Sequence, residues 1–178
     1  MWLRLTLNPI LPKLVSDNRQ LQVMNELVFR NLSEDAKRQI CAWKYGGEYD
    51  LYNLPAYEEM QVRQIGFMNP KSEKNYYGFW DESILVGFVN ILEEKEEVFI
   101  GIGVNPDLCN KHYGQRMLLI TYEISKKLYP NKPLYLEVRT WNIRAVKCYQ
   151  KAGFRIDGQA YELTTGIGTG TFYRMIRE

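Results

Sequence analysis

A chain of 178 residues, 46% of them hydrophobic, is long enough to form one domain with a substantial core. Its net charge of +2 gives no general reason to expect a nucleic acid or a membrane as partner. Three cysteines without a C-x-x-C pair and a single histidine argue against a zinc site, and we expect no metal site. Unpaired thiols of this kind are typical of a reduced, cytoplasmic protein.

The first 23 residues differ from the rest of the chain. Three leucines alternate there as in a strand, and Pro9 and Pro12 then interrupt the pattern. A conventional domain pattern begins at Met24. We therefore expect residues 1–23 to be an N-terminal appendage that need not belong to the native protein, and residues 24–178 to form a single domain.

The first half of this domain shows two helical patterns between strands. Ser33 is a good N-cap, and Glu34 and Asp35 suit the positive first turn of the helix that follows it. The pattern predicts, in order, a strand over 26–31, a helix over 34–43, a loop over 44–55, a helix over 57–68, and a hairpin with strands over 76–80 and 84–93.

The second half alternates strands and helices before a final hairpin. The predicted elements are a strand over 98–104, a helix from 114 to 128, a strand over 134–138, a helix over 142–152 stopped by Gly153, and strands over 154–163 and 171–176 around a GIGTG turn. Alternation implies a parallel crossover, and hairpins imply antiparallel pairing. We expect an α/β fold with a mixed sheet of six or seven strands, flanked by about four helices.

A polar turn joins the strand over 98–104 to the following helix, and it carries Gly114. Free N–H groups and the positive end of the helix dipole favour an anion such as phosphate there. The turn is no P-loop, and Pro106 stands where a dinucleotide fingerprint needs its third glycine. Cys109 and His112 suggest a nucleophile–base pair, but no third group to orient them is evident. A strand–turn–helix connection without any ligand would look similar, so an anion site and a purely structural turn both remain open.

The stretch Leu134–Phe154 places two reactive side chains on consecutive elements. A carboxylate, Glu137, in a central strand is unexpected. In a right-handed strand–helix unit Glu137 and Tyr149 can border the same cleft. There the carboxylate could act as a general base and the phenol as a general acid. The structural alternative pairs Glu137 with Arg139 and packs Tyr149 into the core.

Tyrosines cluster in the loop between the first two helices. Tyr45, Tyr49 and Tyr52 lie there beside Glu48 and Asp50. The carboxylates suit a cationic amine, and tyrosine rings can stack on it. Surface aromatics that pack under a loop would give the same pattern.

Together the two stretches resemble the GNAT superfamily of N-acetyltransferases. Its members carry a strand, an R/Q-x-x-G-x-G/A turn and a helix, and then a strand, an Asn and an A-x-x-x-Y-x-x-x-G-F helix. The segment Leu136–Phe154 is particularly similar to ribosomal-protein N-terminal alanine acetyltransferases. The second motif is formed here by Val138, Arg139, Asn142, Ala145, Tyr149, Gly153 and Phe154.

The resemblance implies acetyl-CoA as cosubstrate. Turn amides would bind its diphosphate, and the preceding strand would pair with its pantetheine arm. Cys109 and His112 depart from the family turn, which usually has Arg or Gln and Gly there, and Lys111 and Arg116 are candidate replacement cations. The implied cofactor-binding residues are Ile102, Gly103, Val104, Asn110, Lys111, His112, Tyr113, Gly114, Gln115, Arg116 and Asn142.

The resemblance also implies a reaction, the direct transfer of an acetyl group to a primary amine of a small molecule or peptide. Glu137 would be the catalytic base and Tyr149 the catalytic acid, with Tyr49 and Tyr52 beside the acceptor. The altered turn leaves an alternative, a non-catalytic acyl-CoA-binding regulatory domain. The expected partner is an amine acceptor rather than nucleic acid or membrane. A homodimer is compatible with the sequence, which fixes neither the oligomeric state nor the acceptor.

Overall fold

The structure is a computed structural model that describes residues 27–178. The predicted appendage at 1–23 lies outside the described residues. Within them one sheet has eight strands in the order β1-β2-β3-β4-β5-β8-β6, with β7 paired to β8. The strands are β1 (Leu27–Asn31), β2 (Tyr76–Asp81), β3 (Ile84–Glu93), β4 (Val98–Val104), β5 (Leu134–Arg139), β6 (Arg155–Ile156), β7 (Tyr161–Thr165) and β8 (Gly168–Arg177).

Four α-helices flank this sheet in the described part of the chain, as predicted. They are α1 (Glu34–Ala42), α2 (Tyr57–Arg63), α3 (Tyr113–Leu128) and α4 (Ile143–Lys151). The predicted cap of α1 is confirmed, because the Ala36 N–H donates to the Ser33 hydroxyl at 3.2 Å. Helix α4 ends as predicted before Gly153, which has a left-handed φ of 87°.

Three predicted elements have different bounds, of which the simplest is the strand expected over 171–176, since it begins earlier, at Gly168. The helix expected over 57–68 ends at Arg63, because Gln64 adopts a left-handed φ of 50° and the chain then makes a short 3₁₀ helix. The strand expected over 154–163 is divided into β6 and β7, with Gly158 at a φ of 78° between them. The sheet therefore has eight strands instead of six or seven. The loop expected over 44–55 includes a 3₁₀ helix at Gly47–Tyr52.

The sheet separates two apolar clusters. Helices α3 and α4 cover one face, where Met117 and Leu118 are fully buried with Val86 of β3. The neighbouring Leu85 points to the opposite face and packs with Ile40 of α1 in the second cluster. Complete burial of each such side chain contributes about 1.5–3 kcal/mol, which fixes the helices on the sheet.

Strands β4 and β5 form a parallel pair that opens like a wedge. Their register comprises only Val98 with Leu134 and Phe99 with Tyr135. On its other side β4 stays paired with β3 as far as Val104. Among the described strands, none pairs with the β5-facing edge of β4 after Phe99, and a gap opens in the middle of the sheet.

Candidate active site

The gap between β4 and β5 continues into a cavity of about 620 Å³. This volume is in the range of pockets that bind small ligands and cofactors. Ile102, Gly103 and Val104 line it from β4, and Glu137 lines it from β5. The turn before α3, the inner side of α4 and the loop after α1 complete the walls.

The turn before α3 presents unpaired backbone N–H groups to this cavity. Within residues 27–178, the amides of residues 110 to 115 donate to no protein acceptor. Asn110 and His112 adopt left-handed φ values of 65° and 63°, one on each side of Lys111. Left-handed residues in such a turn gather successive N–H groups into a concave anion site, and the dipole of the 16-residue helix α3 adds to it. The turn thus fits a diphosphate.

Side chains on α3 anchor this turn to the β2–β3 hairpin. The Tyr113 hydroxyl donates to Asp81 Oδ2 at 2.6 Å, and Arg116 Nη1 lies 4.0 Å from the same oxygen. Asn110, His112, Tyr113, Gly114 and Gln115 all line the cavity. Lys111 and Arg116, the candidate replacement cations, are not among its lining residues.

Gly114 lets α3 approach α4 closely. A Cβ added there would lie 3.1 Å from Cys148 Sγ and 3.5 Å from Val104 Cγ2. Cys148 therefore packs between the two helices. Burial raises the pKa of the Cys109 and Cys148 thiols, which keeps them protonated at neutral pH and argues against a nucleophilic role.

Glu137 projects into the cavity from the middle of the sheet. Its Oε1 accepts a 2.6 Å hydrogen bond from the hydroxyl of Tyr161 on β7. The alternative pairing with Arg139 is not formed, because the Arg139 guanidinium instead donates to three carbonyls of the β7–β8 hairpin. Glu137 keeps a second carboxylate oxygen for other partners.

Tyr149 lines the same cavity from α4. Within the described residues its hydroxyl has no hydrogen-bond partner, and its ring lies 6.5 Å from that of Phe154. Burial raises the pKa of this phenol, so it keeps its proton at neutral pH. The structure thus brings the carboxylate and the phenol of the second motif to one cavity.

Asn142 links α4 to the loop after α1. Its Oδ1 accepts from the Ala145 N–H at 3.1 Å as an N-cap, and its Nδ2 donates to the Tyr52 hydroxyl at 3.3 Å. Both Asn142 and Tyr52 line the cavity. Tyr49 does not; its ring packs 5.6 Å from that of Trp141 and under the guanidinium of Arg144.

Three further contacts at the cavity escaped sequence reasoning. The Tyr45 hydroxyl donates to the Val104 carbonyl at 2.7 Å, which ties the loop after α1 to the end of β4. The Tyr161 hydroxyl bonds to Glu137 from the far side of β8, and the Arg139 guanidinium packs directly against Gly170, which has no side chain. The GIGTG sequence was the available signal for Gly170. No local pattern signals the other two, since both depend on contacts between distant segments.

Residues 27–154 match the sequence model of the acetyltransferase (GNAT) family, and the chain therefore belongs to this family. The predicted resemblance is confirmed at this level. The protein is an acetyltransferase, and the acetyl donor of the family is acetyl-CoA. The turn amides, the free edge of β4 and the size of the cavity fit this donor.

Solved structures show the same fold at low sequence identity. A GNAT-family acetyltransferase from Bacillus anthracis superposes with a TM-score of 0.68 at 18% identity, covering 86% of this chain and 95% of the other. Spermidine N-acetyltransferase from Vibrio cholerae, in complex with CoA and spermine, superposes with a TM-score of 0.68 at 17% identity. The match covers 85% of this chain and 95% of the other. A GNAT-family acetyltransferase from Streptococcus pneumoniae superposes with a TM-score of 0.61 at 24% identity. The match covers 85% of this chain and 98% of the other.

No curated protein matches the chain significantly in sequence. In the part of the chain that the structure describes, no helix has the length and apolar character needed to cross a membrane.

Proposed function

We propose that this protein transfers the acetyl group of acetyl-CoA directly to a primary amine of a small molecule or peptide. The observation that carries the proposal is the position of Glu137 and Tyr149 in one cavity, at the gap between β4 and β5. A carboxylate to accept a proton and a phenol to donate one are the two groups that direct acyl transfer to an amine requires.

The turn and the free strand edge would hold the donor. The N–H groups of residues 110 to 115 suit its diphosphate, and the free β4 edge over Ile102, Gly103 and Val104 suits the amides of its pantetheine arm. Asn142 holds the start of α4 beside them. Acetyl-CoA supplies the activated acetyl thioester.

Glu137 would begin the reaction by accepting a proton from the amine, directly or through water. Amines of the lysine type have a pKa near ~10.4 and enter mostly protonated, so deprotonation is needed before attack. The amine nitrogen attacks the carbonyl carbon to form the C–N bond, a β4 amide would stabilise the resulting oxyanion, and the C–S bond then breaks. Tyr149, kept protonated by burial, would give its proton to the departing thiolate, and the resulting tyrosinate would take up the surplus proton from the newly acylated nitrogen.

The acceptor is proposed to enter beside the loop after α1. Tyr52 lines the cavity there, and Tyr49 extends the same aromatic wall outwards through Trp141. The similar Vibrio cholerae protein is a spermidine N-acetyltransferase, which supports a small amine. The likeness of Leu136–Phe154 to ribosomal alanine acetyltransferases supports a peptide N-terminus instead.

Thiol release from acetyl-CoA across a panel of primary amines tests the function. We expect amine-dependent release and acetylated product by mass spectrometry. Thermal stabilisation by acetyl-CoA without release for any amine would contradict the proposal and favour the non-catalytic regulatory domain. The three cysteines at positions 41, 109 and 148 are free, and we propose a reducing, cytoplasmic setting for the reaction.

A further inference from the structure

We infer that Arg139 and Gly170 position the β7–β8 hairpin as a wall of the acceptor site, and that Ile167 on this wall selects monoamines that carry an apolar group. This rests on the proposed function. Ile167, in the turn of this hairpin, is the residue that this arrangement places at the cavity.

The Arg139 guanidinium binds the hairpin through its backbone. Its Nη atoms donate to the carbonyls of Ile167, Gly168 and Thr169 at 3.4, 3.1 and 3.3 Å. The residue is only 8% exposed, and its guanidinium carbon lies 4.9 Å from the centroid of the Phe172 ring. Arg139 is thus a rigid brace between β5 and the hairpin, two residues from Glu137.

Gly170 is the position that makes room for this brace. A Cβ added there would lie 1.9 Å from Arg139 Nη1 and 2.9 Å from its Cζ. Any side chain at 170 therefore displaces the guanidinium from the carbonyls that it binds. Gly166 differs from Gly170 in the same hairpin, because a Cβ there meets nothing within 4 Å.

The braced hairpin presents an apolar side chain to the cavity. Ile167 lines the cavity although it is 45% exposed, and Phe172 lines it from the same hairpin. An exposed Ile at a hairpin tip buries apolar area when an apolar ligand group lies against it. The position thus favours an acceptor that carries an apolar group able to lie against Ile167.

The charges at this end argue against a polycationic acceptor. Among the described lining residues Glu137 is the single carboxylate, and it already serves the reacting amine. Arg139 is a cation on the same face of β5, and the remaining lining cations, Arg144, Lys147 and Lys151, follow α4. A second ammonium group on the acceptor would find no carboxylate there and would meet Arg139.

The acceptor preference is tested with three probes at equal concentration: phenethylamine, a peptide with an N-terminal alanine, and spermidine. We expect kcat/KM for at least one of the two monoamines to exceed that for spermidine about tenfold or more. Phenethylamine and the peptide distinguish a small molecule from a protein N-terminus. Equal or faster acetylation of spermidine would overturn the inference while leaving the acetyltransferase function intact.

Ile167→Asp tests the wall itself. The position is exposed, so folding should be retained, and we expect kcat/KM for the preferred monoamine to fall about tenfold while that for spermidine rises. The KM for acetyl-CoA should stay within about twofold. An unchanged ratio between the probes would overturn the assignment of Ile167.

Gly170→Ala and its matched control Gly166→Ala test the brace. We expect Gly170→Ala to raise the acceptor KM about fivefold or more, with kcat and the acetyl-CoA KM nearly unchanged, and Gly166→Ala to alter neither. Equal behaviour of the two folded variants would overturn the positioning role. If Gly170→Ala does not fold, Arg139→Lys replaces it with the same expectation, since a lysine ammonium is a compact charge without the planar fork through which Nη1 and Nη2 reach these carbonyls.

Discussion

The Tyr161 hydroxyl donates a 2.6 Å hydrogen bond to Glu137 Oε1, although the two residues lie on strands separated by β8. The bond fixes one carboxylate oxygen, and among the described residues the other oxygen accepts no hydrogen bond. Burial, followed by the hydrogen bond to Glu137, raises the pKa of Tyr161 to about 12. The contact therefore connects the proposed base to the alkaline stability of the fold.

Tyr161→Phe is expected to change how stability depends on alkaline pH. The pKa of Tyr161 is raised from 10.0 to about 12 on folding, so its contribution is complete below pH 10 and is lost as pH rises through about 12. The variant lacks a hydrogen bond to a charged group, worth about 1.5–3 kcal/mol, and should be less stable at pH 8. The difference in the free energy of unfolding between the variant and the parent protein should become smaller towards pH 12.

Urea unfolding at several fixed pH values measures this difference. Tyr122→Phe is a suitable control, because the Tyr122 hydroxyl is bound to the Glu178 carbonyl at the exposed surface, away from Glu137. If the free energies of unfolding of Tyr161→Phe and the parent differed by the same amount across this pH range, the contact with Glu137 would not be what raises the pKa of Tyr161.

Glu137→Gln should lower turnover about 100-fold at neutral pH, since an amide cannot accept the amine proton and general base catalysis contributes about 10²–10⁴-fold. The loss should diminish as pH approaches the pKa of the amine near ~10, where the substrate deprotonates in solution. A pH–rate profile measures this. A loss that stays constant with pH would assign Glu137 a structural role.

Tyr149→Phe should lower turnover at least about tenfold while acetyl-CoA binding is largely kept. The variant removes one hydroxyl that has no protein partner in the described structure, so packing around the ring should persist. Steady-state kinetics and thermal stabilisation by acetyl-CoA separate the two effects. Unchanged turnover would remove Tyr149 from the acid role.

The sequence predicts local features of this fold well and long-range contacts poorly. Ser33, Gly153 and the amphipathic pattern of α3 act through neighbouring residues, so caps and element types could be foreseen. The motif from Glu137 to Tyr149 spans one strand–helix unit, and its two ends meet in one cavity as expected. The family match confirms the resemblance to GNAT acetyltransferases that this motif suggested.

What escaped prediction depends on the assembled sheet. Tyr161 reaches Glu137 only because β7 and β5 both pair with β8 in a defined register, and the gap between β4 and β5 follows from pairing that stops at Phe99. Left-handed residues such as Gln64 also cannot be read from a helical pattern, and one of them shortened α2.

Asp81→Ala should weaken acetyl-CoA binding without affecting the chemical step. Asp81 fixes the start of α3 through the 2.6 Å hydrogen bond from Tyr113, and its loss frees the turn that presents the amides. We expect the KM for acetyl-CoA to rise about three- to tenfold with kcat retained. Asp107→Ala, at an exposed position near the same turn, is the control. A fall in kcat with an unchanged KM would contradict this role.

His112→Gly should stabilise the protein and keep acetyl-CoA binding. His112 starts α3 at a left-handed φ of 63°, which costs a residue with a Cβ roughly 1–2 kcal/mol and costs glycine very little. The greater freedom of glycine in the unfolded chain offsets about 0.4–1 kcal/mol of this gain. We therefore expect the free energy of unfolding to rise by about 0.5–1 kcal/mol, measured by urea denaturation.

Lys111→Gly is the matched control for this gain. Lys111 is the adjacent exposed residue and is not among those with positive φ, so glycine there should lower stability by about 0.4–1 kcal/mol. If the free energy of unfolding rises in His112→Gly and falls in Lys111→Gly, His112 holds the turn in a strained conformation that presents the amides. Equal destabilisation would mean that the imidazole makes a contact that compensates for the strain.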